Sequence, residues 1–196
     1  MPFSNLANAL ETVNDVMKPS PPGSELEVLI SAEDIARRVR ELAAQISSDY
    51  HGRPLRLIAI LKGAWIFFAD LIRHLDLEVT VDFLSFTSYG ESAASSGTVK
   101  ITKDLDQSVA GLDVLVVEDI LDTGQTFEYL RGVLEAHKPH SLSVVTLLDK
   151  PSRRIRPVRA DYVGFTIHDE FVVGYGLDYA QQYRHLPDIR ILRPRR

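Results

Sequence analysis

The sequence has no cysteine, one tryptophan and two methionines among its 196 residues. Without cysteine there is no disulfide framework, no thiolate zinc site and no cysteine nucleophile, and the chain suits a reducing compartment. No apolar run approaches the roughly 18 to 20 residues needed to cross a bilayer. The first cation is Lys18, so the start lacks the charged and apolar regions of a signal peptide. The expectation is a soluble, cytoplasmic protein with no membrane partner. None of the six histidines has metal-ligand spacing. A Gly-x-x-x-x-Gly-Lys-Ser/Thr loop is also missing, which argues against a nucleotide-binding kinase.

What is present is the balance of a globular domain. Hydrophobic residues make up 45% of the chain. At this length folding buries roughly 70% of the unfolded surface, so one core suffices without a crosslink. The net charge of -5 conceals an asymmetry: residues 1–149 carry 12 basic and 22 acidic residues, and residues 150–196 carry 10 and 5. The basic part could meet an anion, and it could equally be a solvated surface or subunit contact. Arg193 to Arg196 is too short for a nucleic-acid footprint, so no nucleic acid is expected as partner.

Along the chain, Lys18-Pro19-Ser20-Pro21-Pro22-Gly23 cannot continue a helix and ends an N-terminal extension over residues 1–24. Leu26 to Ile30 reads as a strand. Ser31-Ala32-Glu33-Asp34 then forms a capping box before Ile35, Val39, Leu42 and Ile46 at helical spacing. The apolar run Leu55 to Leu61 predicts a strand buried on both faces. After Lys62-Gly63 follows a helix with Trp65, Phe68, Ile72 and Leu75 on one side. Val79 to Phe86 is a further strand, and Thr87 to Thr98 a polar, small-residue loop. Asp113 to Val117 is a strand, Phe127, Leu130 and Leu134 mark a helix ending near Lys138-Pro139, and Ser141 to Leu148 and Tyr162 to Ile167 are the last long strands. This alternation predicts an α/β fold with a mainly parallel sheet flanked by helices, whose ligands bind at the carboxyl ends of the strands. The shorter segments after Ile167 look like an irregular cap that packs with the N-terminal strand.

The strongest chemical signal is the thirteen-residue run from Val114 to Thr126, Val-Leu-Val-Val-Glu-Asp-Ile-Leu-Asp-Thr-Gly-Gln-Thr. Two adjacent carboxylates, Glu118 and Asp119, end an apolar strand. Asp122, Thr123, Gly124, Gln125 and Thr126 then form a turn that opens a helix. Such a turn offers backbone N–H groups, hydroxyls and a helix N-terminus to a phosphate monoester, and Gly124 lets the backbone approach closely. The two acids would repel that phosphate, so they suit ribose hydroxyls or a divalent cation beside it. A plain helix cap would account for Asp122 and Thr123 but not for two more carboxylates. The combination asks for a phosphorylated sugar.

This run resembles the phosphoribosyl pyrophosphate signature of type I phosphoribosyltransferases. Leu61-Lys62-Gly63-Ala64 is similar to the pyrophosphate loop of the purine-salvage members, Ser88-Tyr89-Gly90 to their lid, and Phe171 to Tyr179 to their base-and-metal segment. The likeness runs from about Leu26 to Leu186 and is strongest to the bacterial enzymes acting on hypoxanthine, especially over Gly174 to Leu186. It implies the family's fold: one domain over residues 25–196, with a core over about 32–166 and a small hood over about 167–196. It implies formation of IMP, and of GMP from guanine, with release of pyrophosphate. Mg²⁺ is the implied cofactor, and a homodimer or homotetramer the implied assembly.

The resemblance also implies roles. Asp122 would exchange a proton with purine N7, and Lys150 would donate to the 6-oxo group, rejecting adenine. Phe171 would stack on the base and Val172 would read its edge. Lys62, Gly63, Glu118, Asp119, Asp122 to Thr126 and Arg184 would hold phosphoribosyl pyrophosphate, under a lid containing Ser88 and Tyr89. Glu118, Asp119 and Asp178 would meet the metal. Read singly, Phe171 fits a core aromatic equally well, and Asp178 and Arg184 fit a solvated loop. Glu170 and Gln125 depart from the lysines of mammalian relatives, which leaves base preference and phosphate affinity open. A regulator binding nucleic acid would not need Asp122, Lys150, Phe171, Asp178 and Arg184 together.

Overall fold

The computed structural model describes residues 25–88 and 99–193. They fall into two compact units: Glu33–Asp169, and the segments up to Ala32 and from Glu170 onward. The expected extension over residues 1–24 lies outside the described residues.

The larger unit is built on a six-stranded sheet of β2 (Leu55–Leu61), β3 (Val79–Ser88), β4 (Val99–Lys103), β5 (Asp113–Leu121), β6 (Ser141–Asp149) and β7 (Tyr162–Thr166). Their spatial order is β4-β3-β2-β5-β6-β7. β2 pairs parallel with β3 and β5, β5 with β6 and β6 with β7, while β3 and β4 are antiparallel. The mainly parallel α/β sheet is therefore as expected. Every residue from Leu55 to Ile60 is buried, as is Asp113 to Val117, which is why these strands read as near-continuous apolar runs, Arg56 and Asp113 apart, rather than alternating ones.

Among the described residues three helices accompany it: α1 (Ala32–Asp49), α2 (Trp65–Ile72) and α3 (Gln125–Ala136). α1 buries Ile35, Val39, Leu42, Ala43 and Ile46, one stripe at helical spacing. Phe127, Leu130 and Leu134 of α3 pack with Ile58, Val114, Val116 and Val144 of the sheet. Leu57, Ala59, Leu115 and Val117, which point to the opposite face, are fully buried as well. Arg38 of α1 donates from Nε to the Gly164 carbonyl at 2.9 Å and from Nη2 to the Val163 carbonyl at 2.8 Å, both on edge strand β7.

Local expectations differ from the structure at three points. α2 ends at Ile72 and buries Phe67, Phe68 and Leu71, so Trp65, expected on the apolar side, is 48% exposed. The helix is only eight residues long, and its buried stripe is rotated by about one position. β5 continues four residues beyond Val117, because its pairing with β6 persists to Leu121 opposite Asp149. The polar stretch from Thr87 is partly strand: Thr87 and Ser88 pair with Lys100 and Val99, while residues 89–98 lie outside the described residues.

The smaller unit contains an antiparallel sheet in the order β1-β9-β8, from β1 (Glu25–Ile30), β8 (Val172–Val173) and β9 (Ile189–Arg193). β1 pairs with β9 from Glu25 opposite Arg193 to Ile30 opposite Ile189, so the segments near the two ends of the chain do pack together.

Candidate active site

Three neighbouring parallel strands, β2, β5 and β6, end side by side, and each ends in residues singled out by their chemistry. The carboxyl edge of a parallel sheet is where polar side chains can meet solvent and ligand.

At the end of β5, Glu118 and Asp119 precede the turn Asp122-Thr123-Gly124. With Thr126 these five residues line a cavity of about 300 Å³. Gly124 sits immediately before α3 with φ +84°, and a Cβ there would collide with Val158. Glycine is thus required both for the left-handed turn and for space. Gln125 and Thr126 are exposed on the first turn of α3. The Gln125 N–H lies 3.4 Å from Thr123 Oγ1.

Glu118 and Asp119 have different environments. Oε2 of Glu118 is buried with no hydrogen-bond partner among the described residues, and burial, reinforced by the neighbouring Asp119 charge, pushes its carboxyl well above the usual range. Asp119 Oδ1 accepts the Ile120 N–H at 2.8 Å, which turns its other oxygen toward the end of β2. There the Leu61–Lys62 peptide is cis, and a Cβ on Gly63 would overlap Asp119 Oδ2.

At the end of β6, Lys150 is buried, and its N–H donates to the Leu121 carbonyl at 3.0 Å, joining this segment to the Asp122 turn. A 3₁₀ turn over Pro151–Arg153 follows. Two arginines that sequence reasoning did not select reach Asp122 from it. Arg153 Nε lies 3.3 Å from Asp122 Oδ1, and Arg154 Nη1 donates to the Asp122 carbonyl at 2.8 Å while its other amine pairs with Asp149. Their only signal in the sequence is the excess of basic residues over 150–196, which does not single them out.

The remaining candidates belong to the smaller unit. Phe171 is 53% exposed, so it is no core aromatic, and it meets Tyr179 edge-on with ring centroids 5.8 Å apart. Val172 is buried in β8 opposite Ile191. Asp178 and Arg184 form an ion pair at 2.6 Å rather than two solvated charges, with Arg184 also donating to the Gly176 carbonyl at 2.6 Å. Asp178 accepts the Gln181 N–H at 2.8 Å. This loop holds Tyr175, Ala180, Gln181 and Tyr183 at positive φ between 49° and 74°, a concentration of left-handed residues found where a backbone is shaped for a purpose. Of the expected lid, Ser88 ends β3 and Tyr89 lies outside the described residues.

A family model described as the phosphoribosyl transferase domain matches residues 29–180, most of the chain. The chain belongs to the phosphoribosyltransferase family. As a phosphoribosyltransferase it is 52% identical over 168 residues to the hypoxanthine-guanine phosphoribosyltransferase of Bacillus subtilis, covering 86% of this chain and 93% of that one. Identity to the Staphylococcus aureus enzyme of the same name is 49%, covering 86% and 94%. Among solved structures, a hypoxanthine-guanine phosphoribosyltransferase from Bacillus anthracis superimposes with a TM-score of 0.82 at 49% identity, covering 85% of this chain and 99% of that one. A hypoxanthine phosphoribosyltransferase from Staphylococcus aureus gives 0.83 at 46%, covering 94% and 95%. This phosphoribosyltransferase is therefore an enzyme of the purine-salvage type in sequence and fold. Among its described residues no helix is long and apolar enough to cross a membrane.

Proposed function

We propose that the enzyme transfers the phosphoribosyl group of 5-phosphoribosyl 1-pyrophosphate to N9 of hypoxanthine and guanine, forming IMP or GMP and pyrophosphate. The observation that carries this reading is the cavity at the end of β5, where Glu118 and Asp119 stand beside the Asp122-Thr123-Gly124 turn. Its substrate class follows from the hypoxanthine-guanine relatives named above.

In this reading the turn from Asp122 to Thr126 receives the 5′-phosphate through backbone N–H groups and hydroxyls at the start of α3. Lys62, Gly63 and Arg184 receive pyrophosphate. N9 of the base attacks C1′ as the C1′–O bond to pyrophosphate breaks, and that bond's electron pair leaves on pyrophosphate. The N7 proton passes to the Asp122 carboxylate, so the nucleotide departs neutral at the purine. Lys150 donates to the 6-oxo oxygen; adenine offers an amino group there and would leave a buried ammonium opposed by a donor. Phe171 stacks on the ring and Val172 reads its edge. Because pyrophosphate is already a good leaving group, positioning and charge stabilisation supply most of the acceleration.

The donor set also supports Mg²⁺. Paired carboxylates, one with an orphaned buried oxygen, are hard ligands, and Mg²⁺ is held by one or two carboxylates together with waters and substrate oxygens. Glu118 and Asp119 would hold it, with Asp178 assigned to it by the family resemblance, and once bound it would neutralise pyrophosphate charge. The assembly would be a homodimer or homotetramer.

Nucleotide formation followed by ultraviolet absorbance, with phosphoribosyl pyrophosphate, Mg²⁺ and each of hypoxanthine, guanine, xanthine and adenine in turn, tests the proposal. Turnover with hypoxanthine and not adenine is expected. Folded protein inactive toward all four bases would sink it.

A further inference from the structure

The basic segment after β6 has a role that the substrate-binding assignments leave unfilled. We infer that Arg153 is a positioning residue for Asp122: its guanidinium bridges the Asp122 and Asp169 carboxylates and holds the first in the orientation proton exchange requires. The inference rests on the reading of Asp122 given above.

Both ends of the contact are placed by backbone bonds before the side chains meet. The Arg153 N–H donates to the Lys150 carbonyl at 3.1 Å, closing the 3₁₀ turn, and the Lys150 N–H holds the Leu121 carbonyl at 3.0 Å. The Ile155 and Arg156 N–H groups both donate to the Thr123 carbonyl, at 2.9 and 3.2 Å. Arg154 secures the Asp122 carbonyl. The segment from Lys150 to Arg156 is thus laid along the Asp122 turn, and Arg153 arrives with little choice of direction.

The side chain itself is gripped at two points. Nε meets Asp122 Oδ1 at 3.3 Å and Nη1 meets Asp169 Oδ2 at 3.4 Å. A long arginine normally samples many rotamers, and a second anchor is what removes that freedom. Among the described residues the charged groups meeting Asp122 are Arg153 through its carboxylate and Arg154 through its carbonyl, the latter arginine being paired with Asp149. Arg153 is accordingly raised from its ordinary pKa by the charges of Asp122 first and Asp169 second.

Folding stability does not explain the arrangement. The three side chains are 48%, 38% and 55% exposed, and ion pairs so open to water contribute little to folding. Orientation of a catalytic group is different, because a misplacement of about 1 Å can cost about 10²-fold in rate.

The test compares kcat, both KM values and Tm for the full-length wild type, Asp122→Asn, Arg153→Gln, Arg153→Lys, Asp169→Asn and the double variant Asp122→Asn/Arg153→Gln. Arg153→Gln should lose about 10- to 100-fold in kcat, with both KM values within about threefold of wild type and Tm unchanged. Arg153→Lys should recover part of that loss, and Asp169→Asn should show a smaller loss of the same kind. Since Arg153 acts through Asp122, the double variant should be no slower than Asp122→Asn alone. Wild-type kcat in Arg153→Gln, a loss confined to KM for phosphoribosyl pyrophosphate, or additive losses in the double variant would each overturn the role of Arg153. An active Asp122→Asn would instead overturn the reading of Asp122 and the positioning role with it.

Discussion

Gly63 leaves no room for a side chain because Asp119 occupies the place where its Cβ would stand. Two segments 56 residues apart in sequence, the loop after β2 and the end of β5, are in this way held at backbone-to-carboxylate distance. Gly63→Ala forces Asp119 to rotate or the loop to withdraw. The expected result is a folded enzyme whose kcat/KM for phosphoribosyl pyrophosphate is lower by about 10²-fold, measured by steady-state kinetics. A variant with wild-type kcat/KM would show that the contact is incidental.

Glu118 supplies a pH-dependent signature. Its carboxyl is raised by burial and by Asp119, so the folded protein binds this proton more tightly than the unfolded chain does. The resulting penalty is complete above the raised pKa, shrinks as pH falls through it, and vanishes below the ordinary glutamate value of about 4.3. Glu118→Gln should therefore raise Tm at and above neutral pH, with the gain fading as the solution is acidified. Differential scanning calorimetry across pH reads this, and a gain independent of pH would contradict it.

Phe171 separates binding from stability because it is exposed. A buried phenylalanine truncated to alanine costs about 3 to 5 kcal/mol, which would show as a large fall in Tm. For Phe171→Ala we expect Tm to change little while KM for hypoxanthine rises by about tenfold, in line with about 1 to 3 kcal/mol for an aromatic-base stack. Loss of Tm without a change in KM would return Phe171 to a structural role.

Lys150 carries the discrimination among bases. Lys150→Gln should lower kcat/KM for hypoxanthine and shrink the hypoxanthine-to-adenine ratio by at least about tenfold, a modest share of the 10⁴ to 10⁵ that a hydrogen-bonding site can impose. Competition between the two bases in one reaction measures the ratio, and an unaltered value would assign selectivity elsewhere.

The legible parts of this enzyme were those written in contiguous residues. The run from Val114 to Thr126 contains strand, acids, turn and helix start in order, and its cavity lies along that same run. The strands β2, β5 and β6 were readable because burial on both faces leaves stretches dominated by apolar residues, broken only by Arg56 in β2 and Thr146 in β6 within their buried parts. Contacts between distant segments were not. Arg153 meets Asp122 across 31 residues, and nothing in Pro-Ser-Arg-Arg distinguishes it from a solvated surface. The exposure of Trp65 is not legible in the sequence because eight residues give only two turns to define a stripe. The unusual carboxyl of Glu118 depends on how deeply the end of β5 is enclosed, which adjacent residues do not encode.

The arginine of α1 that reaches β7 also bears on how the molecule behaves in company. A parallel sheet ending in an outer strand offers unpaired carbonyls to any other extended chain, and proteins manage that hazard with charges, bulges or a covering element. Here Arg38 ties up the Val163 and Gly164 carbonyls, and Leu147 lies so close to Gly164 that no side chain could be added to roughen the surface instead. A guanidinium borrowed from a helix thus occupies two carbonyls that a strand added at this border would have to use.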